Sequence, residues 1–101
     1  MRIEFHRLAL KEFDDACTWY KERSPATADR FKDAVEKAIL RVSQGPDSLP
    51  KLTGAYRWVR VARFQYILVF QQRSHDQVVI AAVAHTSRRP GYWRRRMQQT
   101  E

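Results

Sequence analysis

Three histidines, one cysteine, four tyrosines and a surplus of arginine are the side chains of this 101-residue chain that can do chemistry. The histidines, His6, His75 and His85, share no metal-ligand spacing, and carboxylates are scarce near the last two. A transition-metal centre is therefore not expected. Cys17 lies among apolar residues at helical spacing, where a thiol packs as a small hydrophobe, and a lone cysteine forms neither an internal disulfide nor a cysteine cluster. Gly45, Gly54 and Gly91 are isolated, so no phosphate-cradling loop is present, and no serine or cysteine adjoins a histidine in a nucleophile elbow. No cofactor or metal is expected.

Arg60, Arg63, His85 and Arg88 remain, with Arg57, Arg89, Tyr92, Trp93 and Arg94 as neighbouring binding candidates. Metal-free RNA cleavage needs a group to deprotonate the 2′-hydroxyl, cations at the phosphate and a proton donor to the leaving oxygen. Histidine, arginine and tyrosine are suitable types: His85 as acid or base, Arg60, Arg63 and Arg88 at the phosphate. Tyr92 and Trp93 either stack on bases or pack a C-terminal turn onto the body of the protein. A strand-end histidine is more often structural than catalytic, so residue types alone do not establish catalysis.

The charge distribution narrows the class of partner. Residues 1–50 hold nine Lys/Arg and nine Asp/Glu, whereas residues 51–101 hold ten Lys/Arg against Asp76 and Glu101 only. The whole net charge of +8 thus lies in the second half, and nine of its ten bases are arginine. Arginine's planar fork suits phosphate and carboxylate, so a one-sided arginine field implies a polyanion, either nucleic acid or an acidic protein segment. The longest apolar run, Val78 to Ala84, is far short of the roughly 20 residues that span a membrane. The start, "MRIEFH", has no apolar signal region. A cytoplasmic protein with no membrane partner is expected.

The elements that must hold these residues follow from periodicity. "RIEFH" at 2–6 alternates, with Ile3 and Phe5 on one side, as a half-buried strand does. Leu8, Phe13, Ala16, Cys17 and Tyr20 fall at helical spacings, predicting a helix over about 8–22. Ser24 and Pro25 then suit the cap and first turn of a second helix, whose stripe is Phe31, Val35, Ala38, Ile39 and Val42, closed by Gly45-Pro46. Residues 45–56 carry two Gly and two Pro and read as a loop. Strands are predicted over 57–62, 66–70 and 78–84, joined by connections short enough for antiparallel hairpins. The unbroken apolar run of the last predicts a central strand covered on both faces. The expected fold is α+β in the order β-αα-βββ: an antiparallel sheet, a helix hairpin on one face and a short C-terminal segment, as one domain over 1–101.

With these segments in view, the chain resembles the RelE/ParE superfamily of bacterial type II toxin–antitoxin toxins over nearly its whole length. The resemblance rests on "FHRLALKEFDDACTWYKER" and "ADRFKDAVEKAI" for the strand and helices, and on "RWVRVARFQYILVF" and "VVIAAVAHTSRRPGYW" for the arginine-led and closing strands. The last two are the more specific. Gln65 departs from the proline that many relatives carry there. The resemblance implies a growth-inhibiting toxin silenced by an acidic antitoxin that wraps the basic surface, the complex binding operator DNA. RelE-like members cleave messenger RNA on the ribosome without metal; ParE-like members poison DNA gyrase. The "AHTSRRPGYW" ending looks more like ParE-type plasmid-stabilisation proteins, and Lys51 is the only lysine of the second half, which disfavours a lysine-based nuclease centre. His85, Arg60 and Arg63 nevertheless match the nucleases in type and approximate place. The gyrase-directed reading is slightly favoured over the ribosome-dependent endoribonuclease, and a degenerate member that only binds an antitoxin or DNA is the third expectation.

Overall fold

The computed structural model describes residues 1–98; the last three positions of the expected 1–101 domain, with Glu101, lie outside the described residues. A strand β1 (Arg2–Phe5) leads into helix α1 (Arg7–Arg23) and helix α2 (Pro25–Gln44). A single 3₁₀ turn at Pro46–Ser48 follows, then strands β2 (Lys51–Thr53), β3 (Tyr56–Val61), β4 (Tyr66–Ser74) and β5 (Gln77–His85), and a short helix α3 (Arg94–Gln98). The α+β arrangement expected from the sequence is present, including the helix hairpin and the C-terminal segment.

Local chemistry accounts for the boundaries. His6 caps α1 through its ring Nδ1, which accepts from the Leu8 N–H at 3.1 Å. Ser24 caps α2, its Oγ accepting from the Thr27 N–H at 3.2 Å, and Pro25 occupies the first turn, where its missing N–H has no cost. Glycine ends α2 as expected, in an extended conformation in which the Gly45 N–H donates to the Arg41 carbonyl.

The sheet order is β1-β5-β4-β3-β2. The hairpins β3–β4 and β4–β5 are antiparallel, as expected, and β2 pairs antiparallel with β3, but β1 pairs with β5 in parallel, making the sheet mixed. The helix hairpin causes this: it carries the chain back across the sheet, so the end strand meets β5 without a tight turn. The other difference is β2, three residues inside the segment expected to be a loop, paired with β3 through an irregular register.

Both faces of β5 are covered. Towards the helices, Leu68, Phe70, Val78, Ile80 and Val83 meet Phe31, Val35, Ala38 and Val42 in the main core. On the outer face, Val69, Val79 and three alanines of β5 lie under Trp93 and Met97 from the C-terminal segment. The register explains the alanines. Val69 pairs with Ala82 and Phe70 with Ile80, leaving Ala81 as an extra residue in β5. This bulge turns Ala81 and Ala82 to the same outer face, where only small side chains leave room for the indole.

Candidate partner-binding site

The site is organised by a residue that the sequence did not single out, Glu12 of α1. Past Ile80, β5 loses the cover of β1, and the bulge points the Ala81 carbonyl and the Val83 N–H to the vacated edge. The Glu12 carboxylate accepts from the Val83 N–H at 3.0 Å, from the Tyr92 hydroxyl at 2.7 Å and from both Arg96 guanidinium nitrogens at 3.1 and 2.9 Å. Arg96 also donates to the Ala81 carbonyl at 3.1 Å. The two charged side chains are only 17% and 12% exposed, so this pair ties α1, β5 and α3 together where water is largely excluded. The other described ion pairs lie at the surface. Glu12 falls three residues after buried Ala9 and four before buried Ala16, and that placement on the inward side of α1 is the one sequence signal that pointed to it.

Tyr92 is fixed from both ends. Its hydroxyl is on Glu12, and the Arg88 guanidinium stacks over its ring at 3.8 Å, with Arg96 at 5.3 Å. Burial, then the Glu12 hydrogen bond, pushes its phenol far above the usual range, so it holds its proton firmly. Trp93 is 3% exposed and packs edge-on against Tyr56 at 4.6 Å. Of the two candidate stacking residues, therefore, one is a buried strut and the other is already covered by arginine.

His85 ends β5 opposite Tyr66, whose ring it meets edge-on at 5.1 Å. Its Nδ1 lies 3.1 Å from the Ser87 N–H and 2.8 Å from the Ser87 hydroxyl. Because an amide N–H can only donate, Nδ1 is the acceptor and the neutral ring carries its proton on Nε2. His85 and Arg88 both line two clefts: one of ≈ 480 Å³ against α1, bounded by Glu12, Trp19 and Tyr66, and one of ≈ 450 Å³ on the outer side.

Arg89 and Arg94 line the outer cleft with them, whereas Arg60, Arg63 and Arg57 line neither cleft. Arg60 shares a cross-strand row with Ile67 and Ala84, the row beside Val61, Tyr66 and His85, and adjacent rows of a sheet point to opposite faces. Arg60 is thus on the outer face and the His85 ring on the helix side. Arg63 sits in the β3–β4 turn with a positive φ of 73° and lines a groove beside Thr27, Arg30 and Asp33 of α2. Arg57 turns to the helix side and donates to the Leu49 carbonyl at 2.7 Å, bracing the loop before β2. Arg94 donates to the Thr53 hydroxyl at 2.8 Å. Arg89 is exposed, and its side chain has no hydrogen bond or ion pair among the described residues. Among those residues no three His, Cys, Asp or Glu side chains gather as a metal would need. Among the described residues no helix is long and apolar enough to cross a membrane.

What the arrangement offers is a rigid basic surface: arginines on the strand, turn and C-terminal segment, one buried ion pair beneath them, and exposed apolar residues such as Trp19 and Leu52 beside them. Such a surface suits a macromolecular partner. No curated protein matches the chain. The family model for the ParE toxin of the type II toxin–antitoxin system, parDE, matches residues 3–90, from β1 through β5 into the arginine-rich loop. The chain belongs to the ParE toxin family of type II toxin–antitoxin systems, whose toxins pair with an antitoxin.

Proposed function

We propose that this toxin stops growth by binding a protein target, DNA gyrase, and that an acidic antitoxin silences it by pairing carboxylates with the arginine field. The observation that carries the choice of target is the dispersal of the groups a nuclease would need. The Arg60 side chain and the His85 ring point to opposite faces of the sheet and share no cleft, Arg63 lines a groove beside α2, and the Tyr92 hydroxyl is committed to Glu12. General acid–base cleavage needs donor, base and cation within hydrogen-bond reach of one phosphate. A protein inhibitor needs only a stable, charged and partly apolar surface. The antitoxin complex would also occupy operator DNA, with the antitoxin making the DNA contacts.

A second reading, ribosome-dependent cleavage of messenger RNA, draws support from His85 and Arg88 lining the same two clefts. Induction of wild type and of His85→Ala in cells, with messenger RNA ends mapped, separates the two. The gyrase reading expects intact messages from both and equal toxicity. Codon-phased ends from the wild type that vanish in His85→Ala would replace it with the nuclease.

A further inference from the structure

We propose that the outer face of the sheet, between β3 and the 86–94 loop, is a binding site for single-stranded nucleic acid that acts without cleavage. Two clefts of ≈ 450 and ≈ 500 Å³ adjoin there and share Leu52, Ile67 and Thr86 as a common floor. One wall is β3, with Trp58 and Arg60; the other is the C-terminal segment, with Arg88, Arg89 and Arg94. Trp58 shares a row with Val69 and Ala82, so its indole is on this outer face, half-buried at the rim of the trough. Among the described residues, no aspartate or glutamate lines either cleft. The side chains of Arg60 and Arg89 have no ion pair or hydrogen bond among the described residues, so their charge is available to a ligand.

A polyanion is the occupant this charge favours, because arginines on both walls can follow a phosphate backbone along the trough. An acidic peptide would satisfy the arginines as well. The rest of the lining distinguishes the two. Trp58 offers a π-face of the kind on which unpaired bases stack, and Gln65 and Thr86 supply an amide and a hydroxyl that suit base edges and sugars. The indole takes the stacking role that sequence reasoning gave to Tyr92 and Trp93, which the fold uses elsewhere. Binding here needs no acid or base, so it stands apart from the gyrase reading, and either can fail without the other.

The test is fluorescence anisotropy of the purified full chain with labelled single-stranded DNA and RNA of about twelve nucleotides, a length that such grooves accommodate. The proposal expects both to bind at low salt, with affinity falling by about 0.7 log units per log unit of salt for each phosphate engaged. Trp58→Ala should weaken binding about tenfold or more and Trp58→Phe should recover most of it. Exposed Arg60→Ala and Arg89→Ala, which leave the fold intact, should each make the salt dependence shallower, and Arg41→Ala on α2 should change nothing. Absence of salt-dependent binding would overturn the proposal, as would binding indifferent to Trp58, Arg60 and Arg89. Capture of a poly-glutamate peptide on the same face with no affinity for either oligonucleotide would also overturn it, giving the face to a protein partner.

Discussion

Glu12 is a charged residue on which the architecture leans. Its carboxylate meets a strand amide, a phenol and a guanidinium contributed by three different segments. Removing one member of a shielded ion pair strands the other, so Glu12→Ala should cost about 3 kcal/mol, the low end for such pairs because both ends keep some solvent. For a domain of this size that corresponds to a melting temperature lower by more than about 12 °C, measurable by calorimetry. Tyr92→Phe removes one hydroxyl and should cost about 1 kcal/mol. A second residue gives the protein a pH dependence. Burial, then the charges of Arg96 and Arg7, hold the His6 imidazole below its ordinary 6.5. The unfolded chain takes up that proton first, so stability is complete above about pH 6.5 and declines as the pH falls below it. Protonation would also remove the Nδ1 lone pair that caps α1. The urea midpoint should therefore drop between neutral and mildly acidic pH, and His6→Asn, which keeps a capping oxygen, should flatten that drop. Equal slopes in the two proteins would contradict this role. Neither role could be assigned from the sequence: Glu12 is one of several helix acids, marked only by its place between Ala9 and Ala16, until the fold brings Val83, Tyr92 and Arg96 to it, and His6 looks like the polar end of a strand until its ring meets the Leu8 N–H.

The helices were legible as elements because their signals are local: a period of 3.6 and a Ser-Pro start act within one segment. The long strands β3, β4 and β5 were legible for the same reason. β2 was not, because Lys51-Leu52-Thr53 is short, flanked by Pro50 and Gly54, and becomes a strand only by pairing with β3. The bulge at Ala81 was equally hidden, since four small apolar residues in a row do not reveal which of them changes face. Its consequence is a second core beneath the C-terminal segment. Trp93→Ala should empty the centre of that core and cost about 3 kcal/mol or more, whereas Arg60→Ala, on the same face but exposed, should alter stability by less than about 0.5 kcal/mol. Denaturant titration of the two variants checks the contrast. A small loss for Trp93→Ala would mean that the C-terminal segment is not anchored there. His85, Arg60 and Arg63 could be picked out by type, but whether they converge depends on strand parity and on the turn that carries Arg63, which no residue type encodes.

At the scale of the whole molecule, the confinement of net charge to residues 51–101 becomes a basic sheet, loop and C-terminal helix set against a charge-balanced helix hairpin. That asymmetry was plain from the sequence, and on the proposed pairing with an acidic antitoxin it would steer association electrostatically. Raising salt about tenfold from low ionic strength should slow antitoxin association by about tenfold or more, with a smaller effect on dissociation, as stopped-flow fluorescence can read. The central claim concerns the target, and purified components test it most directly. The toxin is incubated with DNA gyrase, ATP and relaxed plasmid, and supercoiling and covalent gyrase–DNA complexes are measured with and without antitoxin. The account predicts loss of supercoiling with accumulating cleaved complexes, reversed by prior antitoxin binding. Normal supercoiling at a large excess of active toxin would contradict it.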